Sequence, residues 1–376
     1  LFANKARVVK ELVSGVKKLM KARRIEVLRG AGRLTGAREV EVEGVGSVAG
    51  KAIVVATGSA EVELPFMKFD GTRVLSSKDV LDLKRIPKSL VIVGGGVIGC
   101  EFASILNAFG SKIAIVEMLP GIVATEDAQI SRTLQMFFRK KGIDLHLGVK
   151  VVASRVEQDT IVVSLENGAE LSAEAVLVSV GRRPFFDGAF DGSIGVEADR
   201  GGIKVNRKME TAVPGVYAAG DVVGGALLAH VATREGIVAA ENALGASRET
   251  GAEAIPSTIY TLPEIARVGA SEEEARARGI NVATGRFPFA ANGKAKGLGE
   301  EDGFVKWVAR AEDKKLLGLH VIGPHATELV AAGTVAIDRG LTGEQFAESI
   351  FPHPTLSETL AGAAEAMYGR ASDLVK

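Results

Sequence analysis

Apolar residues recur at helical spacing near the start of the chain, where Val8, Leu12, Val16 and Leu19 predict a helix over residues 5–21. Short apolar or alternating runs at 25–28, 39–42 and 51–56 predict strands, the last running into Thr57-Gly58-Ser59. From Pro87 the pattern becomes βαβ: a buried-type strand at 89–93, a glycine turn, an apolar helix at 97–109 and a second strand at 112–117. A helix at 127–141 follows, with strands near 144–147, 161–165 and 175–180. Pro214-Gly215 opens a turn and a short strand that ends in Gly220-Asp221, and residues 227–243 read as a helix. Beyond residue 255, longer strands at 304–309 and 316–322 mix with helices at 326–339, 342–349 and 357–368. A domain boundary is therefore expected near residue 253.

Composition narrows the class. With 376 residues, 47% of them hydrophobic, the chain suits two or three domains with sizeable cores. Lys+Arg 46 balance Asp+Glu 46, so there is no general footprint for nucleic acid, and the basic cluster at 17–24 reads as a solvated helix face. No apolar run approaches the roughly 18 residues that a membrane span requires. The one cysteine, Cys100, excludes an internal disulfide and a Cys-ligated metal cluster. His146, His230, His320, His325 and His353 lack paired metal-ligand spacing, so no metal site is expected.

Gly94-Gly95-Gly96-Val97-Ile98-Gly99 fits G-x-G-x-x-G between a strand and a helix. Gly94 permits the tight turn, Gly96 lets backbone approach a pyrophosphate, and Gly99 allows close helix–strand packing, while the helix N-terminus attracts phosphate charge. Glu117, at the end of the next strand, suits a ribose 2′-OH and would repel a 2′-phosphate, which favours NAD over NADP. Gly220-Asp221 fits either a hydrogen bond to a ligand hydroxyl or an ordinary helix cap. Near the C-terminus, His353-Pro354-Thr355-Leu356-Ser357-Glu358 can be built as a base and the carboxylate that fixes its tautomer. On its own the hexapeptide also fits a surface or core-edge pair.

Taken together, these pieces resemble the flavin-dependent pyridine nucleotide–disulfide oxidoreductases, and within them the dihydrolipoamide dehydrogenase group. The matching segments are Ala56-Thr57-Gly58-Ser59, residues 94–101, Gly181-Arg182-Arg183-Pro184 and residues 214–221, followed by Leu227-Leu228-Ala229-His230 and Tyr260-Thr261-Leu262-Pro263-Glu264. Phe287-Pro288-Phe289-Ala290-Ala291-Asn292 and the 353–358 hexapeptide complete the order, which covers nearly all of the chain. The resemblance implies an α/β fold with two Rossmann-like nucleotide-binding domains, the FAD one incomplete, and a C-terminal α+β dimerisation domain. The expected divisions are 1–60 for the remaining N-terminal part of the FAD domain, 61–182 for NAD, 183–252 for a returning FAD or central segment, and 253–376 for the interface.

The resemblance also implies roles. Asp221 would bind the ribityl chain of FAD, with Leu227, Leu228, Ala229 and His230 beneath the isoalloxazine. Thr57, Gly58 and Ser59 would lie along the FAD, and Gly32 near its adenine. Gly94, Gly95, Gly96, Val97, Ile98, Gly99, Glu117, Val151 and Gly181 would hold NAD, and Glu101 would stand near the flavin–nicotinamide contact, paired with a lysine of the FAD domain. His353 would deprotonate the dithiol substrate, oriented by Glu358, and would act at the flavin of the other subunit of a homodimer. The implied enzyme reoxidises dihydrolipoyl groups of 2-oxo acid dehydrogenase or glycine cleavage complexes with NAD+. Its compartment would be the cytoplasm, with the mitochondrial matrix also open, and neither membrane nor nucleic acid would be a partner.

Two departures from the pattern stand out. Phe351 occupies a position where the group often has a second histidine, a place whose expected role is packing. The FAD glycine motif, the pair of redox cysteines and the lysine partner of Glu101 are absent, so Leu1 is expected to be an interior residue of a longer protein and the fragment to be inactive alone. The His-Pro-Thr-x-Ser-Glu pattern argues against a mercuric reductase or a transhydrogenase, and Glu117 against the NADP-dependent glutathione enzymes. A non-catalytic NAD-binding, dimerising remnant is the alternative from another class.

Overall fold

In the computed structural model, residues 1–251 and 254–374 are described, and the boundary expected near residue 253 lies outside them. The chain divides into two compact units, one built from Leu1–Val62, Asp82–Arg85 and Arg182–Gly251, the other from Glu63–Leu81, Ile86–Gly181 and Ala252–Lys376.

In the first unit the strands Gly32–Gly36, Glu39–Val42 and Gly46–Ala49 form an antiparallel sheet. Ile53–Val55 pairs in parallel with Val216–Ala218, and the helix Ala229–Ala243 belongs to the same unit. Val55, Val216, Ala218 and Val222 share a small apolar core. The predicted first helix forms over Phe2–Ala22 and buries none of its residues. Residues 25–28 were expected to pair as a strand; instead they are irregular, with Val27 57% exposed. An extended apolar run becomes a strand only where a neighbouring strand takes up its backbone N–H and C=O groups, and none does so here.

The second unit opens with a parallel five-stranded sheet in the order Val74–Leu75, Ala175–Val178, Ser89–Val93, Lys112–Glu117, Asp144–Leu147. Its central strands are covered on both faces, which is why Leu90, Val91, Ile92 and Val93 form one apolar run. The helices Val97–Ala108 and Ala128–Lys140 supply the crossovers. An antiparallel meander of Val151–Glu157, Thr160–Leu165 and Glu170–Ala173 forms a separate three-stranded sheet, and sequence reasoning found only its middle strand.

The C-terminal part of this unit is an antiparallel sheet in the order Pro256–Ile259, Glu264–Gly269, Leu316–Gly323, Phe304–Arg310, Val282–Pro288. The helices Ala326–Asp338, Gly343–Ala347 and Glu358–Ala366 pack with it around Trp307, Phe289, Leu319 and Leu360. Phe351, the departure from the histidine pattern, packs on Phe346, and Phe346 packs edge-on against Trp307.

Charged residues are also buried in this unit. Arg267, His320 and Lys306 are register neighbours on adjacent strands, so their side chains lie side by side. Four carboxylates answer them: Lys306 Nζ lies 2.7 Å from Asp127 and 2.8 Å from Glu272, and Arg267 contacts Glu126 at 3.2 Å and Glu274 at 3.7 Å. Burial lowers the pKa of His320, so the imidazole tends to the neutral form and its Nε2–H donates to the Ala270 carbonyl.

Four carboxylates against two fixed cations leave two acids in excess, and the more deeply buried Glu126 bears the cost. Glu126, with one oxygen buried and unpaired, is pushed up to about 7, chiefly by burial. Its folded pKa exceeds its ordinary value of 4.5. Its stabilising contribution is therefore complete below pH 4.5 and is lost as pH rises through about 7. We expect Glu126→Gln to flatten the pH dependence of urea stability across that window by up to about 3 kcal/mol. An unchanged slope would show that another group sets it.

Candidate dinucleotide and acid/base sites

Gly94 turns the chain at φ +107°, where a Cβ would lie 2.5 Å from the Ser179 carbonyl oxygen. A Cβ on Gly99 would meet the Gly94 oxygen at 2.0 Å, so only glycine lets the helix Val97–Ala108 start against the strand Ser89–Val93. Gly96 is the N-cap of that helix, makes no side-chain cap bond and faces open space at its Cβ position. The exposed helix N-terminus is thus free for an anion. Glu117 Oε2 accepts from Gly95 N at 2.7 Å and Oε1 from Leu119 N at 2.8 Å, which pins the carboxylate beside the turn. Val97 and Ile98 form the first turn, Val151 begins the antiparallel meander, and Gly181, at φ +130°, follows the strand Ala175–Val178.

Cys100 is fully buried one residue beyond Gly99, with its Sγ–H donating to the Gly95 carbonyl. Burial, reinforced by Glu117 and Glu101, pushes the thiol up, so Cys100 packs as a neutral group rather than reacting as a thiolate. Glu101 is raised by burial as well, against a 2.8 Å hydrogen bond from Tyr260 N.

In the first unit Ser59 Oγ donates to Asp221 Oδ2 at 2.5 Å, which joins two of the predicted cofactor residues. Arg182, not singled out from sequence, donates to Ser59 Oγ and to the Ser59 carbonyl, both at 2.8 Å. Thr57 Oγ1 donates to the Phe185 carbonyl, and Gly58 takes φ +77° with nothing near its Cβ position. Glu235, also missed, accepts from Gly220 N at 2.8 Å, and burial raises its pKa. Leu227 adopts φ +52° and Leu228 is the N-cap of the helix in which Ala229 and His230 form the first turn. Gly32 stands apart from these residues in contact terms: its register partner is Val42 and its Cβ position faces Val40.

At the C-terminal end of the second unit, His353 Nδ1 lies 2.8 Å from Glu358 Oε1, and Glu358 Oε2 accepts from Thr355 N at 2.8 Å. Thr355 Oγ1 donates to the Pro352 carbonyl, and Thr359 Oγ1 to the Leu356 carbonyl. Partial burial opposes ionisation of Glu358, but the Thr355 N–H and His353 outweigh it and hold the carboxyl below its ordinary range. The His353 side chain is 80% exposed, so its ring is open to a substrate or a partner surface.

The glycine turn has the geometry that a dinucleotide cradle requires, and the histidine with its carboxylate the geometry that an acid/base pair requires. The pyridine nucleotide-disulphide oxidoreductase model matches residues 2–236, and the dimerisation-domain model of the same family matches residues 255–364. Dihydrolipoyl dehydrogenase of Thermus scotoductus is 42% identical over 97% of this chain and 80% of its own length. A Bacillus subtilis dihydrolipoyl dehydrogenase is 40% identical over 98% and 81%, and the mitochondrial one of Pisum sativum 36% over 98% and 76%. Among solved structures, the HOCl-induced flavoprotein disulfide reductase RclA of Escherichia coli aligns with a TM-score of 0.89 at 27% identity, covering 97% of this chain and 85% of that one. LpdA of Mycobacterium tuberculosis aligns with a TM-score of 0.86 at 28% identity, covering 96% and 82%. The chain belongs to the pyridine nucleotide–disulphide oxidoreductases. Members of this family are oxidoreductases that use FAD and NAD, and the C-terminal part of this chain is their dimerisation domain.

Proposed function

We propose that this enzyme reoxidises dihydrolipoyl groups with NAD+ as acceptor. The observation that carries the reading is the 2.8 Å contact of His353 Nδ1 with Glu358, which leaves Nε2 as the exposed proton acceptor. Dithiol oxidation needs such a group, because the thiolate and not the thiol attacks a disulfide. Glu358 fixes the tautomer and stabilises the imidazolium once Nε2 has taken a thiol proton.

The remaining residues fit the two nucleotides. Bare helix N-terminal N–H groups at Gly96 and the Glu117 carboxylate beside the turn suit an NAD pyrophosphate and ribose. Gly94, Gly95, Val97, Ile98, Gly99, Val151 and Gly181 would line the same nucleotide, with Glu101 near the nicotinamide. Asp221, held by Ser59, offers an acceptor to a flavin hydroxyl, with Gly32, Thr57, Gly58 and residues 227–230 along the rest of it. Reoxidising a dithiol releases two electrons and two protons; FAD and NAD+, held by the residues above, would supply the acceptor for both electrons and one proton, and His353 would take the second proton. Cys100, the one cysteine of these 376 residues, is free and buried and does not itself form an exchanging disulfide. Lipoyl domains of 2-oxo acid dehydrogenase or glycine cleavage complexes are the proposed partners, a homodimer the proposed assembly, and the cytoplasm the proposed compartment. No helix among the described residues is long and apolar enough to cross a membrane.

The test is a visible spectrum and a dihydrolipoamide:NAD+ assay on the full-length protein. A flavin band with NADH production from dihydrolipoamide is expected. A protein with no flavin band, or with flavin but no such activity, would sink the assignment.

A further inference from the structure

The segment ending in Asn292 was singled out by its sequence, yet no binding or acid/base role above accounts for it. Asn292 is 5% exposed and uses both ends of its amide. Its Oδ1 accepts from Ala295 N at 2.9 Å and caps the short helix Gly293–Leu298. Its Nδ2 donates at 2.9 Å to the carbonyl of Thr355, 63 residues further along. The cap alone would be served equally well by Asp or Ser. An amide is needed because the same side chain must also donate, which neither a carboxylate nor a hydroxyl in that orientation supplies.

The Thr355 peptide is held from both sides. Its carbonyl takes the Asn292 bond, while its N–H donates to Glu358 Oε2 at 2.8 Å. The other Glu358 oxygen holds His353 Nδ1 at 2.8 Å. Hydrogen bonds thus run from a buried anchor to an imidazole that is 80% exposed. The anchor itself is fixed by Phe289, fully buried three residues earlier, whose ring packs against Gly323.

We propose that Asn292 is a positioning residue for His353, acting through the Thr355 peptide and Glu358. The inference rests on reading His353 and Glu358 as the acid/base pair. Without the Asn292 donor the Thr355 carbonyl loses its partner, the loop gains freedom, and Glu358 no longer presents a fixed carboxylate to the ring.

The discriminating variant is Asn292→Asp in the FAD-loaded, full-length dimer. It keeps the acceptor for Ala295 N and puts a carboxylate against the Thr355 carbonyl. We expect kcat for dihydrolipoamide oxidation to fall about tenfold with KM for NAD+ within about twofold of the parent. Hydrogen exchange at the Thr355 amide should rise by roughly tenfold or more. In a Glu358→Gln background the same substitution should cost less than about twofold, because the path it acts through is already broken. Parent-like Thr355 exchange, or a loss of rate that is fully additive with Glu358→Gln, would overturn the proposal. If the parent protein shows no dithiol:NAD+ activity, the functional reading fails, and Thr355 exchange still decides whether Asn292 holds the loop. Should Asn292→Asp not fold, Asn292→Ser, which also retains a capping oxygen, is read in the same way.

Discussion

Replacing His353 with glutamine is expected to lower dihydrolipoamide oxidation at least ~10²-fold, the range of a lost general acid/base. Glutamine can occupy the loop and hydrogen-bond Glu358, but it cannot take a proton from a thiol at neutral pH. The His353 ring is exposed and lies outside the apolar core around Trp307 and Leu360, so the substitution should leave folding and flavin content unchanged. Electron transfer from NADH to a non-thiol acceptor such as ferricyanide needs no thiolate and should persist in the variant. Its survival alongside the lost dithiol reaction would assign the defect to proton transfer. Dithiol activity within about threefold of the parent would remove His353 from the base role.

The second large effect is on stability. Lys306→Met should cost about 3–5 kcal/mol, measured by urea unfolding, because it strands the buried Asp127 carboxylate and takes the partner from the half-buried Glu272. The Lys306 side chain is 2% exposed and that of Asp127 0%. Burial opposes ionisation of both, yet their mutual hydrogen bond prevails, so the Asp127 carboxyl is held below its ordinary range and the Lys306 amine above. Asp127 also caps the helix Ala128–Lys140 through Gln129 N at 2.9 Å, which ties the pair to the start of that helix. Removing Asp127 as well, as Asp127→Asn with Lys306→Met, should recover part of the loss, since no unpaired Asp127 charge then remains. A single substitution costing less than about 1 kcal/mol would mean that water reaches Asp127 and Glu272 readily.

The βαβ unit was legible because its physics is local. An apolar strand, three glycines at fixed offsets and an acid at the next strand end each answer to backbone sterics or phosphate charge within about 30 residues. The His353–Glu358 contact was legible for the same reason, five residues apart on one turn. The strands Val151–Glu157 and Glu170–Ala173 were missed because they are largely exposed, so the first shows no alternation of its apolar residues and the second is too short to sustain one. Residues 25–28 erred the other way: their composition favours a strand, but pairing depends on a neighbour that composition does not reveal.

Arg182 illustrates the intermediate case. Its segment was recognised, yet nothing in Gly181-Arg182-Arg183-Pro184 says that the first arginine would reach Ser59, 123 residues earlier. Asn292 is alike, in a recognised segment whose long-range partner the sequence does not reveal, while Glu235 carried less signal still, since a helix-interior glutamate is ordinary in that place.

The sequence by itself determined the nucleotide turn, the α/β character of the chain, the family and the histidine with its carboxylate, because each is written in short-range spacing. Only the tertiary structure decided which polar residues are buried and what they hold. Nothing in the local sequence marks Lys306, Asp127 and His320 as buried until sheet register and helix packing close over them. Asn292 gains its partner in the same way, from a loop 63 residues away. Burial is a property of what packs on top, and hydrogen bonds between distant segments exist only once the chain has brought them together.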